Sequence, residues 1–123
     1  MSCNAVPVVL VVEDDCLLRL IAVDVVGDAG FVAIEAANAD EAILVLESRA
    51  DIAVIFTDVD MPGTMDGLKL SHAVRHRWPP IKIILVSGQL KLTKSDIPHS
   101  HFFGKPIEPL AMIAEMRNLI GHA

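Results

Sequence analysis

Three short apolar runs constrain this chain more than any other feature: Val8-Val-Leu-Val-Val12, Ile52-Ala-Val-Ile-Phe56 and Ile81-Lys-Ile-Ile-Leu-Val86. They are rich in β-branched residues and show no clean alternation of apolar and polar positions. A strand with one face in water alternates; a strand covered on both faces does not. A weaker run, Phe31 to Ala36, follows Gly30, and His101-Phe-Phe103 precedes Gly104. Segments with a helical period separate these runs. Strands alternating with helices imply parallel strands joined by right-handed crossovers.

The helical segments carry their own punctuation. Leu17, Leu18, Ile21, Val25 and Val26 recur at three- and four-residue steps, behind acidic residues suited to a helix N-terminus. Gly27 is a breaker near the end of that segment, and Gly30 fits the position just beyond its C-cap. Asn38 is a second N-cap, with Glu41 at the capping-box position and Ala42 and Leu46 on one face. Asp66 opens a third segment carrying Leu68, Leu70 and Val74, which Pro79-Pro80 ends. Pro106 is expected at the first turn of a last helix holding Leu110, Ile113, Met116, Leu119 and Ile120. Between Gln89 and Ser100 the pattern is mixed and contains Pro98, which leaves room for only a short or irregular fourth helix.

The chain has 123 residues, which predicts one domain over residues 1–123 with a core that needs neither disulfides nor a structural metal. Lys and Arg number 10 against 16 Asp and Glu, a formal charge of -6. An acidic chain without a basic cluster is not expected to bind nucleic acid directly. No apolar stretch approaches the ~18 residues of a membrane span, and no basic region precedes the N-terminal apolar run. Cys3 and Cys16 lie in no paired motif and read as reduced thiols of a cytoplasmic protein.

The chemistry-bearing residues follow the apolar runs. Glu13-Asp14-Asp15 follow the first, Thr57-Asp58 the run at 52–56, Ser87-Gly88 the run at 81–86, and Gly104-Lys105-Pro106 the last. Ligands of open parallel sheets sit outside the carboxyl ends of the strands. Several carboxylates, one hydroxyl and one ammonium therefore converge on one rim. Crowded carboxylates repel one another and call for a cation, and hard oxygen donors on an open rim suit Mg²⁺ or Mn²⁺. Lys105 supplies a point positive charge and Ser87 a hydrogen bond for phosphoryl oxygens. One carboxylate remains as a nucleophile able to form an acyl phosphate. Each residue alone also has a plainer role: helix cap, turn or solvated lysine.

Taken in order, Val11-Val-Glu-Asp-Asp15, Thr57-Asp-Val-Asp-Met-Pro62, Met65-Asp-Gly67, Val86-Ser-Gly88 and Gly104-Lys-Pro106 resemble a receiver domain of two-component response regulators, the CheY-like family, over about residues 6 to 121. The resemblance implies a flavodoxin-like, doubly wound five-stranded parallel sheet of order 2-1-3-4-5. It implies that Asp58 accepts a phosphoryl group from a sensor histidine kinase or a histidine phosphotransfer protein. Glu13 and Asp14 match the acidic pair that organises Mg²⁺, with Asp14 the direct ligand and the backbone carbonyl of Asp60 a further one. Asp15 falls outside the pair, as a helix N-terminal residue. Ser87 matches the switch hydroxyl, Lys105 the phosphoryl-contacting lysine and Phe102 the switch aromatic. Asp60 and Gln89, each two residues beyond a key position, are placed to tune the lifetime of the phosphorylated form. The protein would act on its own phosphorylation and dephosphorylation rather than turn over a substrate, and it would signal to an output protein the sequence does not identify.

Two spacings depart from the family's pattern. The loop Met61 to Asp66 is one residue longer through Gly63-Thr64, and the interval from Ser87 to Lys105 is several residues short. Two other functions fit parts of the pattern. An aspartyl-nucleophile phosphatase or phosphotransferase would use Asp58-Val-Asp60, but would place its nucleophile after the first strand and add a cap domain. A degenerate receiver used only for docking would not need the acids, serine and lysine. With no DNA-binding segment after residue 121, the chain reads as a stand-alone regulator or a piece of a longer protein.

Several residues carry plainer expectations. His72 and His76 are spaced to share a metal on a helix but fit a solvated face. His99 and His101 read as loop residues rather than phosphohistidines. Cys16 reads as a packing residue, Trp78 as a cover for the end of the third helix, and Met112 and Met116 as core.

Overall fold

A computed structural model describes the backbone of residues 6–58, 67–87, 100–104 and 109–120 and the side chains of residues 6–58, 69–86 and 110–118. The elements, in chain order, are β1 (Val8–Val12), α1 (Cys16–Asp28), β2 (Val32–Ala36), α2 (Ala39–Ser48), β3 (Ile52–Asp58), α3 (Gly67–Arg77), β4 (Lys82–Ser87), β5 (Ser100–Gly104) and α4 (Pro109–Ile120). The five strands form one parallel sheet of order β2-β1-β3-β4-β5, as the family resemblance implies. The expected fourth helix between residues 89 and 100 lies outside the described residues.

Both faces of the sheet are covered, which is why the strand sequences do not alternate. Val8, Leu10 and Val12 of β1 join Ile55, Ile83 and Leu85 in a core closed by Ala42 and Leu46 of α2 and Leu70 and Val74 of α3. Val9 and Val11 join Val54, Phe56, Ile84 and Val86 in a second core closed by Ala22 and Val26 of α1 and Met112 and Met116 of α4. The register between β1 and β3 slips once: Val8 pairs with Ile52 and Val9 with Val54. The extra residue reverses the facing of the strand, so Ile52 and Ile55 share one core although they are three residues apart.

The predicted caps are observed. Phe31 N–H donates to the Val26 carbonyl and Gly30 N–H to the Gly27 carbonyl, closing α1 in a Schellman motif with Gly30 at φ 93°. The Asn38 side chain accepts from Glu41 N–H at 2.9 Å, and the Glu41 carboxylate accepts in return from Ala37 N–H at 2.8 Å.

Three expectations need correction. First, Leu17, Leu18 and Ile21 do not face the core: they are 64%, 41% and 50% exposed, and the inward stripe runs through Ala22 and Val26. Extended one turn back, that stripe reaches Arg19, whose side chain is only 18% exposed. The last helix is described over Pro109–Ile120, and its expected start at Pro106 lies outside the described residues. Second, Leu110 of that helix is 75% exposed, whereas Met112 and Met116 are buried as expected. Third, Cys16 is exposed at the start of α1 rather than packed. His72 and His76 lie on the solvated face of α3 as expected. Trp78 packs against the α2–α3 core, with the Arg77 guanidinium 4.3 Å from its ring centre.

Candidate functional site

The site grows out of strand register. Val12 pairs with Thr57, so the next residue of each strand, Glu13 and Asp58, emerge side by side at the carboxyl edge. Asp58 pairs in turn with Val86, and Ser87 with Gly104. The four strand ends thus meet on one rim, where the sequence places its acids, hydroxyl and lysine. Carboxylate oxygens of Glu13, Asp14 and Asp58 all lie within 4.8 Å of one another. Glu13 is 5% and Asp58 3% exposed, whereas Asp14 faces solvent. Thr57, fully buried beside them, donates its hydroxyl to the Asp58 carbonyl at 3.1 Å.

The backbone around the first acid is closely held. Glu13 N–H donates to the Ala36 carbonyl of β2 at 3.1 Å. The Glu13 side-chain Oε2 accepts from Asp15 N–H at 3.1 Å. The Glu13 carbonyl accepts from Arg19 Nη1 at 2.8 Å. Asp15 turns away from the cluster and caps α1, accepting from Leu17 N–H at 2.9 Å and Leu18 N–H at 3.1 Å. This is the helix N-terminal role expected of Asp15.

Arg19 is the residue that sequence reasoning missed. Its guanidinium also donates from Nε to Glu35 Oε1 at 3.2 Å and from Nη2 toward Cys16 Sγ at 3.6 Å. The Glu35 hydrogen bond is the main cause that raises the Arg19 pKa above its ordinary value; Cys16 adds to it. Glu35 lies sixteen residues away, a distance at which no local pattern pairs the two. The available signal was a lone basic residue in a mostly apolar helix.

Three carboxylates brought together, two of them out of water, repel one another, and a divalent cation with oxygen preference relieves that repulsion. The donor set is all oxygen and one member is open to solvent, which fits a hard cation that keeps part of its water. Of the other predicted site residues, Ser87 ends β4 and Phe102 sits opposite Leu85 in the β4–β5 ladder. Their side chains, and all of Asp60, Gln89 and Lys105, lie outside the described residues. Among the described residues, no helix is long and apolar enough to cross a membrane.

Residues 9–116 match the response regulator receiver domain. The transcriptional regulatory protein AruR of Pseudomonas aeruginosa is 29% identical over 123 aligned residues, covering 94% of this chain and 50% of its own length. The chain therefore spans half the length of that relative. A response regulator receiver protein from Pseudomonas putida superposes with a TM-score of 0.81 at 30% identity, covering 94% of this chain and 98% of its own. One from Sinorhizobium medicae superposes at 0.88 with 24% identity, covering 98% of each, a likeness of fold.

Proposed function

This chain belongs to the response regulator receiver domain family of two-component signalling, and from that premise we propose that it is a phosphorylation-dependent switch whose acceptor is Asp58. Receiver domains are signalling switches rather than enzymes with an external substrate, and the proposal follows that mode. The observation that carries it is the convergence of the Glu13, Asp14 and Asp58 carboxylates at the ends of β1 and β3.

In this reading Glu13, Asp14, Asp58 and the backbone carbonyl of Asp60 hold Mg²⁺ or Mn²⁺. The cation, when bound, neutralises charge on the phosphoryl group in transfer. Asp58 offers a carboxylate oxygen as nucleophile, and its burial keeps competing water away. Lys105 and Ser87 take phosphoryl oxygens, and Phe102 moves with the Ser87 loop to change the partner surface. Asp60 and Gln89 set how long the phosphoryl group survives. The donor is a sensor histidine kinase or a histidine phosphotransfer protein in the cytoplasm, and the output is a protein partner rather than DNA or membrane.

Intact-mass measurement after incubation with acetyl phosphate and Mg²⁺ tests the reading. The wild-type chain gains one phosphoryl group. Asp58→Asn gains none, and neither does the wild type with excess EDTA. Equal uptake by Asp58→Asn would remove Asp58 as the acceptor.

A further inference from the structure

We infer that Arg19 is a positioning residue for the acidic cluster: it fixes the Glu13 backbone, with Glu35 holding the guanidinium in place. This deepens the cation-dependent reading above and rests on it.

The argument starts from where Arg19 sits. The inward stripe of α1 runs Arg19, Ala22, Val26, so an arginine occupies a place the other two positions give to small apolar side chains. Its three donor groups reach three separate parts of the fold: the end of β1 through Glu13 O, β2 through Glu35, and the first turn of α1 through Cys16. Glu35 pairs in register with Val11, whose side chain packs in the α1-side core. The carboxylate is therefore on the side of the sheet from which Arg19 descends. Glu13 is thus held at its N–H by Ala36, at its carbonyl by Arg19 and at its carboxylate by Asp15. Rotating the Glu13 carboxylate away from Asp58 breaks its bond from Asp15 N–H, and shifting the backbone that carries it breaks the bond to Ala36 or that from Arg19. A guanidinium fork suits this task because its planar donors serve two acceptors at fixed angles, which an ammonium does not.

Charge and position make opposite predictions, so they can be separated. If Arg19 acted only through charge, Arg19→Met would leave Glu35 as an extra negative charge and tighten cation binding, and Glu35→Gln would loosen it. If Arg19 positions Glu13, Arg19→Met loosens binding despite the added negative field. Glu35→Gln then keeps most of the affinity, because the amide oxygen still accepts from Nε.

The experiment is Mn²⁺ titration of the whole chain, followed by the loss of the free-ion EPR signal, for wild type, Asp14→Asn, Arg19→Met, Arg19→Lys and Glu35→Gln. Far-UV circular dichroism and thermal melts check folding. Asp14→Asn abolishes binding if the cation reading is right; if it binds like wild type, that reading falls and the Arg19 assignment with it. Given loss in Asp14→Asn, the expected result is about tenfold weaker binding in Arg19→Met, the low end of the range for groups that orient metal ligands. Arg19→Lys falls between the two, and Glu35→Gln stays near wild type. Raising Mg²⁺ restores acetyl phosphate uptake by Arg19→Met to the wild-type extent. Unchanged or tighter Mn²⁺ binding in Arg19→Met and Arg19→Lys overturns the assignment; Arg19→Lys keeps the test open if the methionine variant does not fold.

Discussion

Val12 lies opposite Thr57 in the ladder between β1 and β3, and that pairing makes Glu13 and Asp58 neighbours at the strand ends although 44 intervening residues separate them (58 − 13 − 1). The adjacency depends on the irregularity at the start of the ladder, where Ala53 is skipped between Ile52 and Val54. Without that extra residue β3 would be displaced by one position and its side chains would change faces. The Asp58 side chain would then leave the rim it shares with Glu13 and Asp14.

Asp14 and Asp15 separate cleanly by experiment. Asp14→Ala removes one of the three clustered carboxylates and is expected to abolish Mn²⁺ binding. Asp15→Ala removes the N-cap of α1, costing about 1 kcal/mol in urea unfolding, and leaves Mn²⁺ binding in place. The reverse assignment, with Asp15 essential for the cation and Asp14 dispensable, would mean the acidic pair is displaced by one residue.

The two glycines at the end of α1 respond oppositely to alanine. A methyl group at Gly27 meets nothing within 4 Å, so Gly27→Ala raises stability by about 0.4–1 kcal/mol through helix propensity and a less flexible unfolded chain. Gly30 holds φ 93°, where a Cβ is strained, so Gly30→Ala lowers stability by about 1–2 kcal/mol. Paired denaturation curves check the signs.

The corrected face of α1 predicts which apolar truncations matter. Met116→Ala empties a fully buried site in the α1–α4 core and costs about 2–5 kcal/mol. Leu17→Ala changes a side chain 64% in water and stays within about 0.5 kcal/mol of wild type. A large loss at Leu17 would show that its side chain is covered in solution.

Acid titration has a defined sign at the loop before β3. The hydrogen bond from Arg49 holds the Asp51 carboxyl below its ordinary pKa. A folded-state value below the unfolded one contributes stability above the unfolded pKa and loses it as pH falls through the folded one. The pair is on the surface, so the effect is small and weakens with salt. An NMR titration of the Asp51 carboxyl in wild type and Arg49→Gln reads it directly: the midpoint rises in the variant.

How much was legible beforehand differs between the fold and the site. The runs Val8–Val12 and Ile52–Phe56 are strands because only a doubly covered strand concentrates β-branched residues without alternation, and both lie in strands here. β2 was the faint one because it is an edge: Val32 and Glu35 remain exposed, so the run is broken by polar positions. The caps at Asn38 and Gly30 were legible because each is a local event of a few residues. The inward face of α1 was not, because leucines at helical spacing mark a face without saying which side meets the sheet.

By itself the sequence determined the order of strands and helices, the parallel sense of the sheet, and the presence of acids just beyond β1 and β3. These follow from short-range pattern and from the rule that connections are short and right-handed. Only the tertiary structure decided that Glu13, Asp14 and Asp58 meet within 4.8 Å and that Arg19 crosses from α1 to Glu13 and Glu35. Those relationships join residues far apart in the chain. They depend on ladder register and on the rotation of a helix about its own axis, and both are set by how the two cores pack.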